Sequence, residues 1–83
     1  GSEMCIRDRA EAEKLLAQGE VTEACARGEE AARIAPKSAP AHKFLGKCYM
    51  RAGRTREAND NYKQYLELAP NAPDAPFVKS MIK

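Results

Sequence analysis

The sequence is short of the features that mark several functional classes. It has no tryptophan, one histidine, and only two phenylalanines and three tyrosines in 83 residues. No apolar run approaches the roughly 18 residues that a membrane-spanning helix needs. The net charge of +2 is small, and the aromatic residues are not interleaved with basic ones as in nucleic-acid-binding proteins. We therefore expect neither membrane insertion nor a nucleic-acid partner.

The three cysteines form no recognisable site. There is no CxxC pair and no Cys/His cluster with the spacing of metal ligands, so we expect neither a metal nor a cofactor. Cys25 and Cys48 fall within predicted helices and are expected to be buried thiols, although their spacing leaves a disulfide between them open. Since nothing in the sequence requires a disulfide, a reducing compartment is favoured, and the cytoplasm over the periplasm.

Catalytic chemistry finds little support. The single histidine, His42, falls at a predicted helix-packing position, and no serine or cysteine nucleophile accompanies it. Neighbouring carboxylates such as Glu29 and Glu30 fall on a predicted solvated helix face. There is no glycine-rich phosphate loop, because the glycines are explained by turns or close helix packing. We predict that the protein is not an enzyme.

What the sequence does contain is an internal repeat with an offset of 34 residues. The matching pairs are Leu15 and Tyr49, Gly19 and Gly53, Glu23 and Glu57, Ala24 and Ala58, Ile34 and Leu68, Ala35 and Ala69, and Pro36 and Pro70. A period of this length is typical of a helical solenoid, in which each unit buries its apolar face against the next. Such chains usually function by binding.

Apolar periodicity predicts only helices. A stripe at helical spacing consists of Ala41, Phe44, Leu45, Cys48, Tyr49 and Ala52. A second stripe consists of Ala58, Tyr62, Tyr65, Leu66 and Ala69. We predict helices at about 8–18, 22–35, 39–52, 56–69 and 75–82, with ends uncertain by ~2 to 4 residues.

Turn and cap residues support these limits. Gly19 and Gly53 suit the left-handed conformation that closes a first helix. Ser38 is a candidate N-cap for the third helix, with Pro40 in its first turn. Asp74 is the corresponding candidate before the fifth helix.

The second repeat resembles the tetratricopeptide family. The residues that carry the resemblance are His42, Leu45, Gly46, Tyr49, Ala58, Tyr62, Tyr65 and Pro70, with His42 replacing the leading aromatic of the family pattern. In the first repeat Ala12, Leu15, Ala24, Ala31 and Pro36 fit. There Asp8, Glu11 and Gly28 depart from the pattern. The resemblance covers about residues 5–72, and the segment 65–73 is similar to bacterial members.

The resemblance implies an all-α, right-handed solenoid of two helical hairpins, residues 10–36 and 39–72, followed by a capping helix at 74–83. Gly46 and Ala58 are small because two helices approach closely there, with large residues filling the space around them. The last helix is atypical, as terminal repeats are, because it shields the open end of the stack. The alternative is the first helix of a third, diverged repeat.

The first nine residues require a separate interpretation. Residues 1–9, which include Cys5, read like the translation of a transposon-end adapter used in preparing sequencing libraries, and such a scar is excluded from fold reasoning. The native part then begins near Ala10, as a fragment of a longer gene product. The alternative is an ordinary divergent first helix behind a Gly-Ser cloning remnant.

Function follows from the resemblance. It implies that a protein or peptide binds in a concave groove, where the groove-facing positions are Lys43, Lys47, Met50 and Arg51. The three cations resemble a clamp for an acidic C-terminal segment, although Lys47 stands where such clamps commonly have asparagine. The competing interpretation of this stripe is a solvated helix face. The competing functions are a structural spacer or self-association unit, and a regulatory appendage of a larger enzyme such as a kinase or transferase.

Overall fold

The computed structural model describes the backbone of residues 6–82 and the side chains of residues 10–82. Helices account for all the regular secondary structure of this part of the chain. They are α1 (Ile6–Ala17), α2 (Val21–Ile34), α3 (Ala39–Arg51), α4 (Thr55–Leu68) and α5 (Ala75–Met81). Each lies within two residues of its predicted limits, and the predicted all-α class is confirmed. Helices α1 and α2 form one hairpin, α3 and α4 form the next, and α5 packs on α4.

The turn inside each hairpin depends on a glycine. Gly19 and Gly53 have φ of 84° and 79°, in the left-handed region that side chains disfavour. A Cβ at either position would have nothing within 4 Å, so backbone conformation rather than space selects glycine. The two turns make the same backbone bond one repeat apart, because the amide of Glu20 donates to Leu15 and that of Arg54 donates to Tyr49. The predicted left-handed closures are confirmed.

The two predicted N-caps have different outcomes. The Ser38 hydroxyl accepts a hydrogen bond from the Ala41 amide at 3.3 Å and is buried, as an N-cap should be. Asp74 does precede α5, but its side chain makes no capping bond. Its carboxylate instead accepts from the Tyr65 hydroxyl and pairs with Lys43. The prediction of an Asp74 side-chain cap is therefore wrong, because partners on other helices hold the carboxylate.

The core lies between the two hairpins, and small residues set its dimensions. One cluster of buried residues comprises Ala12, Leu16, Ala24, Cys25, Phe44, Leu45, Cys48, Tyr49 and Ala58. A Cβ added to Gly46 would lie 2.5 Å from the Tyr62 ring, so α3 and α4 cross at a distance that only glycine permits. Gly28 is in the same situation against Phe44. Its departure from the family pattern is thus explained by contact with the next hairpin.

The two described cysteines are buried and free. They lie in the same core cluster, Cys25 on α2 and Cys48 on α3. Burial, with a hydrogen bond to Cys25 as a smaller cause, raises the pKa of the Cys48 thiol well above its ordinary value. The predicted buried thiols are confirmed, and the disulfide alternative does not form here. Cys5 lies outside the described residues.

His42 packs as a partly buried residue between elements. Its Nδ1 lies 2.9 Å from Asn61 Oδ1, and its Nε2 lies 2.7 Å from the Pro36 carbonyl oxygen. The Asn61 amide nitrogen in turn donates to the Glu57 carbonyl at 2.9 Å. The ring therefore ties the connection between the hairpins to α4 through polar contacts. This agrees with a packing role.

The prediction that residues 1–9 are non-native concerns residues that the structure describes only in part or not at all. Residues 1–5 lie outside the described residues, and residues 6–9 are described by backbone alone, as the start of α1. The boundaries 10–36, 39–72 and 74–83 likewise stay predictions. Within residues 6–82, no helix is both long enough and apolar enough to cross a membrane.

Candidate functional site

The first helix of each hairpin and α5 together enclose a concave pocket of about 760 Å³, which we call the groove. α1 supplies one wall residue, α3 supplies four, and α5 with the residue before it supplies another four, while one ring reaches in from α4. The lining residues are Leu16, Lys43, Lys47, Met50, Arg51, Tyr62, Asp74, Phe77, Val78 and Met81. The four residues predicted to face a groove, Lys43, Lys47, Met50 and Arg51, all lie in this one wall.

The apolar part of the groove comes largely from α5. Val78 is buried against Tyr62, and Met50 and Met81 pack at the edge of the same cluster. Phe77 lines the groove but is 65% exposed, which is unusual for a large aromatic side chain. An exposed aromatic ring in a concave apolar surface is a feature of binding sites.

Sequence reasoning missed the α5 residues of this wall. The signal was present, because Phe77 and Met81 lie one repeat offset of 34 residues after Lys43 and Lys47. The interpretation of α5 as a cap, with a third repeat as the alternative, did not extend the predicted groove to these residues. The groove is therefore more apolar than the cationic stripe on α3 suggests.

The three predicted cations differ in their surroundings. Lys43 forms an ion pair with Asp74, and the Lys47 ammonium donates to Glu13 Oε1 of α1 at 2.5 Å. Arg51 forms no ion pair with another described residue, and its side chain is exposed. The sequence predicted a stripe of three groove-facing cations but not their partners. Tertiary structure instead leaves Arg51 as the open cation of the groove.

Asp74 connects three helices at one end of the groove. The Tyr65 hydroxyl of α4 donates to Asp74 Oδ1 at 2.5 Å, and the Lys43 ammonium of α3 lies 5.7 Å from the centre of the Tyr65 ring. The hydrogen bond from Lys43, followed by that from Tyr65, holds the pKa of Asp74 below its ordinary value. Burial, and next the bond to this carboxylate, raises the pKa of Tyr65 to about 12. These contacts position the start of α5 against α3 and α4.

A second polar cluster joins the two hairpins. The Tyr49 hydroxyl donates to Glu29 Oε2 at 2.5 Å, and the Arg54 guanidinium lies 4.5 Å from the centre of the Tyr49 ring. Burial first, and then the bond to Glu29, raises the pKa of Tyr49 well above its ordinary value. The exposed carboxylates Glu29 and Glu30 do lie on a solvated face, as predicted. Glu29 nevertheless has a structural role that the sequence did not indicate.

The described residues contain no group of three or more acidic, histidine or cysteine side chains placed to hold a metal ion. The residues that line the groove can make apolar contacts, hydrogen bonds and charge pairs. The groove offers an apolar surface next to an exposed guanidinium. This arrangement suits the binding of a segment that carries both an apolar and an anionic group.

A comparison with known protein families supports the internal repeat. The model of the tetratricopeptide repeat family matches residues 15–76. Neither curated proteins nor solved structures gave a match. The matched range includes the α3 residues of the groove and ends before Phe77, Val78 and Met81. The α5 part of the groove is thus a feature of this chain that the family pattern does not describe.

Proposed function

Because this chain belongs to the tetratricopeptide repeat family, we propose that it binds a segment of a partner protein in the groove between α1, α3 and α5. Repeats of this family generally mediate protein–protein interactions, and the family is typically a non-enzymatic scaffold. The proposed role is recognition of a partner rather than catalysis.

The observation that carries the proposal is the juxtaposition of exposed Phe77 and open Arg51 in one concave pocket. When a partner covers large exposed apolar side chains in a concave surface, their removal from water lowers the free energy of the complex. Three of the lining residues are cationic and one, Asp74, is acidic, so the charge of the groove favours an acidic ligand. The segment that fits combines a bulky apolar side chain with a nearby carboxylate.

The first prediction is that a short peptide with a leucine beside acidic residues and a free C-terminal carboxylate binds with a Kd of about 10 μM to 1 mM. Affinity falls as salt is added, because exposed charges are screened over ~10 Å at 0.1 M. Arg51→Glu abolishes binding since it reverses the open cation, and Phe77→Ala weakens it by removing apolar contact. Titration calorimetry or fluorescence anisotropy measures both effects.

The matched control is Lys63→Glu, which makes the same charge change at an exposed position of α4 away from the groove. The affinity of Lys63→Glu for the peptide should equal that of the wild type, apart from a small effect of the changed net charge. All variants should retain the helical circular dichroism signal. Equal affinities of the wild type and Arg51→Glu would contradict the proposal.

Self-association is the second candidate function, and one pair of residues favours it. Ile34 and Leu68 are exposed by 64% and 37% and lie one repeat apart, at the ends of α2 and α4. An apolar position repeated on the surface is a potential contact between copies. Sedimentation over a range of concentrations tests this. If the chain self-associates, the apparent mass of the wild type rises with concentration, and Ile34→Lys lowers that mass at a given concentration.

A further inference from the structure

Lys47, one of the three cations on α3, already pairs with an acidic residue of the same chain. Glu13, on α1, accepts a hydrogen bond from the Lys47 ammonium at 2.5 Å across the groove edge. Both side chains are about half exposed, at 48% for Glu13 and 40% for Lys47. Glu13 and Lys47 also line a smaller pocket of about 350 Å³ with Phe44, beside the groove. The carboxylate therefore lies where an acidic ligand would approach Lys47.

The two internal ion pairs of the stripe are not equivalent. Asp74, which pairs with Lys43, also accepts from the Tyr65 hydroxyl and directly precedes α5. Its displacement would disturb the docking of a helix that forms the groove wall. Glu13 has Lys47 as its one hydrogen-bonding or ion-pairing partner among the described residues. Of the two internal carboxylates, Glu13 is the one that can move away with the loss of a single exposed ion pair.

We propose that Glu13 is a specificity-determining residue of the groove, which competes with acidic ligands for Lys47 and directs the ligand carboxylate to Arg51. This inference rests on the proposed binding of an acidic segment in the groove. It assigns a different role to each cation: Lys43 positions α5, Lys47 is held by an internal competitor, and Arg51 receives the ligand. A ligand with a second carboxylate reaches Lys47 only when Glu13 leaves.

The size of the competition follows from the exposure of the pair. Exposed ion pairs contribute little because water and salt screen them, so removing Glu13 should raise the affinity for an acidic peptide by about two- to fivefold. That change corresponds to about 0.4 to 1 kcal/mol at room temperature. It should diminish with added salt, as the pair itself does.

The test compares Glu13→Gln with Glu11→Gln, using the acidic peptide with a free C-terminal carboxylate. Glu11 lies on the same helix and forms an exposed ion pair at 2.9 Å, but with Arg27 of α2 rather than with a groove residue. Both variants remove one negative charge, so long-range attraction changes equally. Glu13→Gln should bind about two- to fivefold more tightly than Glu11→Gln.

A double-mutant cycle then locates the effect. Lys47→Gln should lower the affinity more in the Glu13→Gln background than in the wild type, because only there does Lys47 meet the ligand. Equal gains in Glu13→Gln and Glu11→Gln, with no coupling to Lys47, would overturn the inference and leave peptide binding intact. Absence of binding by the wild type and by every variant would overturn the proposed function, and the inference with it.

Discussion

Residue size determines how closely the helices of the second hairpin approach. Gly46 leaves room for the ring of Tyr62, which is almost completely buried. Ala58 is fully buried in the cluster that also contains Leu45 and Tyr49. At such positions an extra methylene forces neighbouring side chains from their preferred rotamers or moves the backbone.

At the residue scale we predict that Ala58→Leu lowers the free energy of unfolding by about 1 to 3 kcal/mol, because it overpacks the helix crossing. This is a large part of the few kcal/mol expected for a small domain. Chemical denaturation followed by circular dichroism measures it. Ala26→Leu is the control, since Ala26 is exposed on α2 and leucine is nearly as good a helix former. A denaturation midpoint unchanged by Ala58→Leu would show that Ala58 is not at a close crossing.

At the scale of elements, α5 depends on side-chain contacts more than on its own helical stability. It has only seven residues, which is too short to be stable alone. Val78 is its one fully buried residue, and Asp74 connects its start to α3 and α4. Loss of the Asp74 charge should therefore loosen α5 before it affects the hairpins.

The lowered pKa of Asp74 gives this docking a pH dependence of known sign. The pKa of Asp74 in the native state lies below its ordinary value of 3.8. Such a carboxylate contributes its full stabilisation at pH values above this ordinary pKa. The contribution is lost as the pH falls through the lower native pKa. We predict that hydrogen-exchange protection factors of residues 75–81 fall, relative to those of 55–68, as the pH decreases from about 5 to about 2.

The variant Asp74→Asn should show reduced protection of residues 75–81 already at the higher pH, with no further specific loss on acidification. Asp60→Asn serves as the control, because Asp60 is exposed on α4 and forms no ion pair with a described residue. The same pH dependence in Asp74→Asn and in the wild type would show that another group controls α5.

At the scale of the whole molecule, stability should decrease from the centre of the stack to its ends. A chain of this size buries only about 60 to 65% of its unfolded surface, so its free energy of unfolding should be small. Helix α3 packs against both α2 and α4, whereas α1 is the outermost element and contributes Ala12 and Leu16 as its described buried residues. Helix α1 at one end packs chiefly on α2, and α5 at the other end packs chiefly on α4.

We predict that amides of residues 10–34 exchange faster than those of residues 39–69, because the first hairpin is the less supported of the two. Native-state hydrogen exchange measured by NMR resolves this residue by residue. Uniform protection across both hairpins would contradict the prediction. It would also indicate that Gly1 to Arg9 contributes to the fold rather than being a non-native addition.

What the sequence by itself determined is local and periodic. The repeat offset of 34 residues and the apolar stripes predicted all five helices, because helix formation depends on residues three and four positions apart. Gly19, Gly53 and Ser38 were predicted correctly because each acts on the backbone of its own turn. The repeat, together with the residues that resemble the tetratricopeptide pattern, also sufficed to indicate the family.

Only the tertiary structure decided which side chains meet across the stack. Asp74 binds Tyr65 and Lys43 instead of capping α5, Glu13 reaches Lys47, and Phe77 enters the groove. These partners lie on different helices, so their contacts depend on helix orientation and spacing, which no local pattern encodes. For this reason the cationic stripe was visible in the sequence, while the selection of Arg51 as its open charge required the packed helices.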